Sequence, residues 1–310
     1  MRKSLSPSRR LPHVGIVILN WKRPHHTIAC LKSLERLDYP SWEVVVVDNA
    51  SGDGSPSLLR REFPRIVVIE NGSNLGFAAG SNVGIAHVIC SGADYVLLLN
   101  DDTEVAFDAV RLLVETGESA PDIGILGPKI YYFDRANVIW SAGGSVSKYG
   151  KAQHLGADQV DDGTPEGVRD VDYVTGCALM AKREVIETAG LLDERFFAYF
   201  EETEWCARAR EAGFRVVYVP QARVWHKINL DARASLRQYL YLMARNRLLY
   251  LKSTHAGPLA IALASLDLVR TAASWSLRPR YRHMRPFSGV LVRGVRDFAL
   301  GRLGAPPATL

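Results

Sequence analysis

The sequence predicts an α/β fold with a doubly wound, mainly parallel sheet flanked by helices, followed by a C-terminal helical extension. Two observations predict the sheet. Short apolar segments alternate along the first third of the chain with segments that carry the apolar stripe of a helix. Each apolar segment also ends in a polar loop, and ligands bind beyond the carboxyl ends of the strands in sheets of this kind.

Four strands are predicted, over residues 14–19, 43–47, 65–69 and 95–99. The loops that follow them contain Asn20, Asp48, Asn74 and Asp101, in that order. Because parallel strands place their carboxyl ends at one edge of the sheet, we expect these four loops to converge on one cleft. The fourth strand is apolar throughout, which is typical of a strand that is buried on both faces.

Two adjacent carboxylates, Asp101 and Asp102, follow this fourth strand directly. Carboxylates beside a buried strand are costly unless they are compensated, and a Mg²⁺ or Mn²⁺ ion shared with phosphate oxygens is the usual compensation. The alternative is an Asp-Asp-Thr turn or a helix N-cap. Neither a dinucleotide-binding G-x-G-x-x-G nor a Walker loop is present, so a nucleotide would have to be bound by other means.

The composition is that of a folded protein with an anionic partner. The 310 residues, 47% of them hydrophobic, can bury one large core and leave length for an appendage. A net charge of +5 suits a nucleotide, a nucleic acid or an acidic membrane surface. The four cysteines are widely spaced, which predicts buried thiols and neither a disulfide framework nor a zinc site. Residues 1–12 are predicted to be a mobile basic tail, neither signal peptide nor membrane anchor.

The second half of the chain is less regular until it reaches an acidic helix. Over residues 123–169, glycines interrupt short β-prone segments, which predicts hairpins and loops over the sheet edge. Residues 172–183 are predicted to form a strand. An aromatic stretch then precedes Glu201, Glu202 and Glu204 at a helix start. The helix dipole accounts for acidic residues there, but three carboxylates within four residues, preceded by apolar aromatics, exceed what that role requires. A further strand ends at His226, and imidazole is a good ligand for ions like Mn²⁺, although a lone histidine is usually structural.

Three ordered segments resemble the successive blocks of the family 2 inverting glycosyltransferases, especially the rhamnosyltransferase-like branch. They are VVVDNASGDGS at 45–55, NLGFAAGSNVGI at 74–85 and LLNDDT at 98–103. The resemblance extends over about residues 14–227. It implies a GT-A fold, a UDP- or dTDP-sugar donor and a Mn²⁺ or Mg²⁺ cofactor.

The resemblance also implies roles for individual residues. Its D-x-D element matches Asn100-Asp101-Asp102, with Asn in place of the first Asp, so Asp102 is the primary metal ligand and His226 completes the metal site. Its acidic E-D element matches Glu201-Glu202, so Glu202 is the catalytic base in a position where Asp is commoner. Glu201 would hold position or bind acceptor hydroxyls. The implied nucleotide-binding residues, with Asp48 recognising the base, are Asn20, Asp48, Asn49, Asn74, Gly80, Asn100 and Asp101.

The C-terminal region lies outside this resemblance. Residues 235–252 predict a helix with aromatic and basic side chains, and the apolar run at 258–266 is too short for the roughly 20 residues of a membrane span. Basic, aromatic helices of this kind suit the anionic inner surface of the cell membrane, where lipid-linked acceptors lie. A helical cap over the core and an oligomer contact are the alternatives.

The sequence therefore predicts a catalytic domain at residues 13–232, a helical region at 233–310 and a cytoplasmic, peripheral membrane enzyme of cell envelope polysaccharide synthesis. It would transfer a sugar, with rhamnose as the candidate, from a UDP- or dTDP-sugar to a hydroxyl of a glycan or lipid-linked glycan. The alternatives are a nucleotidyltransferase of similar fold and a nucleic-acid-binding protein that uses the basic C-terminus. Neither is preferred, because no basic triphosphate loop is present and no nucleic acid is expected as partner.

Overall fold

The computed structural model describes residues 10–227 and 233–310, and its centre is a ten-stranded sheet. Alternation of apolar β-branched runs with amphipathic segments produces the strands and helices of the first hundred residues. The strands in chain order are β1 (Val14–Asn20), β2 (Trp42–Asp48), β3 (Val67–Glu70), β4 (Tyr95–Asn100), β5 (Thr103–Val105), β6 (Ile123–Tyr132), β7 (Ile139–Ser141), β8 (Gly144–Val146), β9 (Ala152–His154), β10 (Arg169–Asp170), β11 (Ala178–Lys182) and β12 (Arg215–His226).

Helices cover both faces of the sheet and form the C-terminal region. Two short 3₁₀ segments, Glu194–Phe196 and Pro279–Phe287, supplement the α-helices. The α-helices are α1 (Pro24–Leu34), α2 (Ser55–Glu62), α3 (Gly76–Cys90), α4 (Ala109–Glu118), α5 (Arg183–Ala189), α6 (Glu201–Glu211), α7 (Arg233–Ser253), α8 (Pro258–Leu277) and α9 (Ser288–Ala299).

The order of the main sheet is β10-β12-β6-β11-β4-β1-β2-β3. Strand β1 pairs in parallel with both β2 and β4, β2 pairs in parallel with β3, and β12 pairs in parallel with β6. Strand β11 runs antiparallel between β4 and β6. The predicted doubly wound, mainly parallel sheet with flanking helices is therefore confirmed.

The register of the central strands aligns their polar ends. Asn20 is opposite Asp48 in the β1–β2 pair, and Leu19 is opposite Asn100 in the β1–β4 pair. The five residues of β4 before Asn100 are at most 2% exposed, as expected for a strand buried on both faces. The carboxyl ends of three neighbouring strands thus meet at one edge of the sheet.

Residues 123–132 correct the expectation of hairpins over the sheet edge. They form β6, a ten-residue strand inside the sheet, and hairpin pairing is confined to its end, which pairs antiparallel with β7, and to β8 and β9 beyond it. Gly127 and Pro128 interrupt the apolar pattern that identifies a central strand. A Cβ atom on Gly127 would lie 2.5 Å from Cβ of Val174, so close packing of the two segments requires glycine there. The predicted strand over 172–183 is likewise shorter and covers only β11.

The C-terminal helices pack against the part of the chain that contains the sheet. Ala244 and Leu248 on α7 share a buried cluster with Phe196, Phe200 and Ala207. These contacts support the expectation that the C-terminal helices form a cap over the core. The predicted domain boundary at 232/233 falls on residues 228–232, and most of the predicted tail falls on residues 1–9, both outside the described residues.

Two smaller expectations have clear outcomes. Cys30, Cys177 and Cys206 are buried, but Cys90 is exposed, because it ends α3 where the helix reaches solvent. Within residues 10–227 and 233–310, no helix is long and apolar enough to cross a bilayer.

Candidate active site

Asp48, at the end of β2, is buried and held by donors from two neighbouring segments. Its Oδ1 accepts hydrogen bonds from Asn20 Nδ2 at 2.6 Å and from Ser51 Oγ at 2.6 Å, and its Oδ2 accepts one from the Ser51 backbone at 2.9 Å. Asn20 is itself fixed, because its Oδ1 accepts from Thr27 Oγ1 at 2.8 Å. The side chain of Asp48, the predicted base-recognition residue, is therefore held in one orientation, and Asn20 contributes to this by its hydrogen bond to Oδ1.

Asn49 and Asn74 form a second hydrogen-bonded unit beside Asp48. Asn49 Nδ2 donates to Asn74 Oδ1 and to the Gly76 carbonyl, both at 3.0 Å. Asn49 Oδ1 accepts from the Leu75 backbone at 3.0 Å and from Asn71 Nδ2 at 3.1 Å. This unit fixes the loop that opens α3, since all of the polar atoms of the Asn49 side chain are used.

Gly80, which the resemblance places among the nucleotide-binding residues, has a packing explanation. A Cβ atom at this position would lie 2.7 Å from Leu19 Cδ1 and 3.3 Å from Asn49 Nδ2. Only glycine lets α3 approach β1 and the Asn49 unit this closely.

A cavity opens in front of Asp48. It has a volume of about 320 Å³, and Ala50, Gly52, Glu70 and Asn71 are among its lining residues. Pockets of this size suit a small organic ligand. Glu70 and Asn71 were not predicted from the sequence. Polar residues are common at the solvated ends of edge strands, so their presence there did not indicate a site.

Asp101 and Asp102 are both buried, and Arg23 lies across from them. Arg23 Nη1 is 2.8 Å from Asp102 Oδ2, and Arg23 Nε is 3.6 Å from Asp101 Oδ2. Burial raises the pKa of Asp101 to about 7, although Arg23 opposes the shift. Burial acts in the same direction on Asp102, but His226 and Arg23 outweigh it and lower the pKa of that carboxyl. Arg23 was missed, because it lies in a Lys-Arg-Pro turn that is typical of any solvated loop.

His226 and Asp102 place two possible metal-ligand atoms, Nε2 and Oδ1, at a spacing that fits a divalent cation. His226 Nε2 is 3.0 Å from Asp102 Oδ1, and no described residue forms a geometrically sound hydrogen bond to that carboxylate oxygen. Neighbouring ligands of an octahedral ion with bonds near 2.1 Å lie about 3 Å apart, so the spacing fits. The described residues contain no group of three or more His, Cys, Asp or Glu side chains suited to a metal ion. Substrate oxygens or water would therefore have to complete the coordination.

Asn100 and an aromatic cluster surround this pair. Asn100 Nδ2 is 3.5 Å from His226 Nε2. The Trp140 ring lies between two imidazoles, with centroid distances of 4.6 Å to His226 and 4.6 Å to His154. Burial lowers the pKa of His154 to about 4, and His226 adds to the effect, so His154 is neutral near pH 7. His154 is a further residue that the sequence did not indicate.

Glu201 and Glu202 are the first two residues of α6. No residue in the described part of the chain donates a hydrogen bond to Oε2 of either glutamate. Burial raises the pKa of Glu202, although backbone N–H groups around the helix start lower it in part. Burial and the nearby Glu202 charge together raise the pKa of Glu201 well above its ordinary value. A carboxylate with one oxygen free of hydrogen bonds and a raised pKa is a suitable general base.

Backbone contacts connect these glutamates to the end of β4. The Asn100 N–H donates to the Cys177 carbonyl at 3.0 Å. The adjacent residue, Gly176, packs against Glu202, whose Cβ would be 3.7 Å from a Cβ on the glycine, and against the Phe77 ring, which would be 3.1 Å from it. Glu202 therefore occupies the same edge of the sheet as Asn100, with one short segment between them.

The sequence matches the family model described as Glycosyl transferase family 2 over residues 15–189. The chain is similar to a low-salt glycan biosynthesis hexosyltransferase of Haloferax volcanii, with 29% identity over 77% of this chain and 75% of that protein. It is 25% identical to an N-acetylglucosaminyl-diphospho-decaprenol L-rhamnosyltransferase of Mycobacterium tuberculosis, over 86% of this chain and 96% of that protein. A dTDP-rhamnosyl transferase of Shigella flexneri is 25% identical over 71% of this chain and 74% of its own length.

A solved structure confirms the fold. The mannosyltransferase of Pyrobaculum calidifontis, determined with GDP-Man and Mn²⁺, superposes with a TM-score of 0.59 at 17% identity and covers 97% of this chain and 91% of its own. Since the family model covers more than half of the sequence and rhamnosyltransferases are among its relatives, the protein belongs to glycosyl transferase family 2, in its rhamnosyltransferase-like branch, and is a glycosyltransferase with the GT-A fold.

Proposed function

We propose that the protein is a metal-dependent, inverting rhamnosyltransferase that uses a dTDP-sugar and a polyprenyl-diphosphate-linked glycan acceptor. One observation carries the proposal. Glu202, whose Oε2 receives no hydrogen bond from a described residue, lies near the sheet edge that also carries the buried Asp48 and the Asp102–His226 pair. A base, a nucleotide pocket and a cation site on one edge are the components that a single displacement at a sugar carbon requires.

Each part of the edge has its own task in this mechanism. Asp48 and the cavity before it bind the pyrimidine base, and Glu202 accepts the proton of the acceptor hydroxyl as that oxygen attacks the anomeric carbon opposite the nucleotide. Asp102 and His226 would hold the cation, and Arg23 adds positive charge beside the departing diphosphate. A bound Mn²⁺ or Mg²⁺ would supply Lewis-acid stabilisation of that diphosphate.

The donor and acceptor are proposed from the relatives. A dTDP-rhamnosyl transferase and a rhamnosyltransferase that acts on a diphospho-decaprenol-linked sugar both align with most of this chain.

A donor screen tests this part of the proposal. Purified protein is incubated with dTDP-rhamnose, UDP-glucose, UDP-N-acetylglucosamine or GDP-mannose, together with a polyprenyl-diphosphate-linked N-acetylglucosamine. Each donor is tested with Mn²⁺, with Mg²⁺ and with chelator. We expect transfer from dTDP-rhamnose alone, with loss in chelator and an inverted anomeric configuration in the product. Efficient transfer from another donor, or full activity in chelator, would contradict the assignment.

We also propose that the protein works at the anionic inner face of the cell membrane, through α8 and the segment after it. Leu259, Leu266 and Leu277 expose 71%, 62% and 78% of their surface. The same part of the chain carries exposed arginines at positions 270, 278, 280, 282 and 285. Apolar side chains next to a cluster of arginines suit the boundary between acyl chains and anionic headgroups. This placement would bring a lipid-linked acceptor to the enzyme.

Vesicle binding tests the membrane proposal. Each arginine near an anionic surface contributes about 1 kcal/mol, so the double variant Arg280→Ala/Arg282→Ala should bind phosphatidylglycerol vesicles roughly 30-fold more weakly. Arg60→Ala/Arg61→Ala on α2 is the matched control and should bind like the wild type. Equal co-sedimentation of all three proteins at the same salt concentration would favour the cap interpretation of the C-terminal helices. We prefer point variants to truncation, because α7 packs on Phe196 and Phe200.

A further inference from the structure

The segment just before the catalytic helix has an unfavourable backbone. Phe197, Tyr199 and Phe200 have φ angles of 66°, 68° and 74°. This left-handed region is disfavoured for residues with a side chain, and for bulky residues it is rarely adopted without external support. The segment ends at Glu201, so its conformation sets the direction in which α6 starts and where Glu202 points.

The external support comes from two buried side chains of α7. Asn246 Nδ2 donates to the carbonyl oxygens of Phe196, Ala198 and Tyr199, at 2.9, 2.8 and 2.8 Å. Arg245 Nη2 donates to the Phe196 carbonyl at 3.0 Å. Both side chains are fully buried. Three carbonyls of a strained turn are thus fixed by a helix about 50 residues further along the chain.

The same segment is anchored on its other side to α3. The Phe197 carbonyl accepts hydrogen bonds from the Phe77 N–H at 2.6 Å and the Ala78 N–H at 3.1 Å, in the first turn of that helix. Those N–H groups follow the loop that Asn49 and Asn74 fix. The turn is therefore held between the nucleotide side of the site and α7.

The hydrogen bonds of Arg245 go to carbonyl and amide oxygens rather than to carboxylates. Besides Phe196, they reach the Gly304 carbonyl at 2.7 Å and Asn246 Oδ1 at 3.0 Å, and burial lowers the pKa of the guanidinium. A buried charge of this kind is a poor source of stability, and a well-packed apolar side chain would serve as well. Its presence is explained by what it fixes, namely the turn and the side chain of Asn246.

We infer that Arg245 and Asn246 are positioning residues, which hold the 196–200 turn so that the Glu202 carboxylate faces the acceptor hydroxyl. The inference rests on the proposed role of Glu202 as the base. Neither residue touches substrate. Their effect is on the transfer step, since the nucleotide pocket around Asp48 is built by other side chains.

The test compares kcat with donor affinity in variants of these two residues. Asn246→Asp has the same shape but replaces the amide donors by oxygens that repel the three carbonyls. We expect its kcat to fall about tenfold or more, because small misplacements of a base are costly, while the donor KM and the Kd for dTDP stay near wild type. Arg245→Lys keeps one donor for the Phe196 carbonyl and should retain more activity than Arg245→Met. The lysine variant also provides a result if Asn246→Asp does not fold.

Arg247 provides a control on the same helix. Its buried side chain bonds the Tyr149 carbonyl at 2.9 Å and Asp267 at 2.8 Å, and has no bond to the 196–200 turn. Arg247→Lys should lower the melting temperature without a comparable loss of kcat.

Two results would overturn the inference: wild-type kcat in folded Asn246→Asp, or losses of kcat that follow melting temperature alike in the Arg245, Asn246 and Arg247 variants. Glu202→Gln, measured in parallel, separates the two proposals. Full activity of Glu202→Gln would remove the base assignment itself. An inactive Glu202→Gln beside a fully active Asn246→Asp would remove only the positioning role.

Discussion

The two sides of the site are built on opposite principles. On the proposed nucleotide side, every polar side-chain atom of Asn20, Asp48 and Asn49 takes part in a hydrogen bond with residues at the sheet edge. On the base side, Glu201 and Glu202 each have an oxygen that receives no hydrogen bond from any described residue. Side chains fixed in this way suit binding, whereas a carboxylate with a free oxygen suits proton transfer. The difference indicates that donor binding and base catalysis can be perturbed separately.

The largest expected effect on the nucleotide side follows from the Asp102–His226 pair, which is proposed to bind the cation. Asp102→Asn removes a charged ligand beside His226, and the ion is worth several kcal/mol to the bound diphosphate, so the Kd for dTDP in Mn²⁺ should rise about a hundredfold. Titration calorimetry with and without chelator measures it. Asp162→Asn, in an exposed turn, is the control. Equal dTDP affinity of Asp102→Asn and wild type, in Mn²⁺ and in chelator alike, would contradict the metal assignment.

The dependence of activity on pH tests the base side separately from the nucleotide side. Burial raises the pKa of Glu202, and only its ionised form accepts a proton, so activity should fall with decreasing pH through a value above the ordinary 4.5. The acidic limb of kcat/KM measures this value. Asp101, whose pKa is raised to about 7, and Glu201, whose pKa is raised well above its ordinary value, are the competing groups. The limb should persist in both Asp101→Asn and Glu201→Gln, and its disappearance in either variant would assign it to the residue replaced there.

The smallest effect concerns the stability of the nucleotide side. Asn49→Ala leaves the Leu75 N–H and the Asn71 amide without their acceptor, and the free energy of unfolding should fall by about 1–3 kcal/mol. Urea denaturation measures the change. Asn137→Ala, at an exposed position, should stay within about 0.5 kcal/mol of wild type. Equal stability of the two variants would mean that the Asn49 unit does not hold the loop.

The convergence of the proposed nucleotide-binding residues on one sheet edge could be predicted from sequence, because the position of each residue depends on local pattern alone. Asn20, Asp48 and Asp101 each follow a strand directly, so alternation of strands and helices suffices to place them at one edge. Pattern reasoning failed at β6, where Gly127 is required by packing against Val174, a contact that no local pattern encodes.

The support of the base side was also beyond sequence reasoning. The acidic helix start drew attention to Glu202, but not to the turn before it or to the side chains that hold that turn. Arg245 and Asn246 lie in a helix whose basic and aromatic character suggested a membrane surface. Arg23 and His154 were missed for a similar reason, since single polar or charged residues in loops and short strands have no distinctive spacing.

The central claim is that Glu202 is the base and that it acts independently of donor binding. Rapid mixing of donor-saturated enzyme with acceptor isolates the transfer step, and Glu201→Gln is the adjacent control. For Glu202→Gln we expect a full complement of bound donor and a single-turnover rate about 10²–10⁴-fold below wild type, the usual cost of losing a general base. Glu201→Gln should transfer much faster than Glu202→Gln. Transfer by Glu202→Gln at the wild-type rate, with Glu201→Gln inactive or not, would contradict the claim.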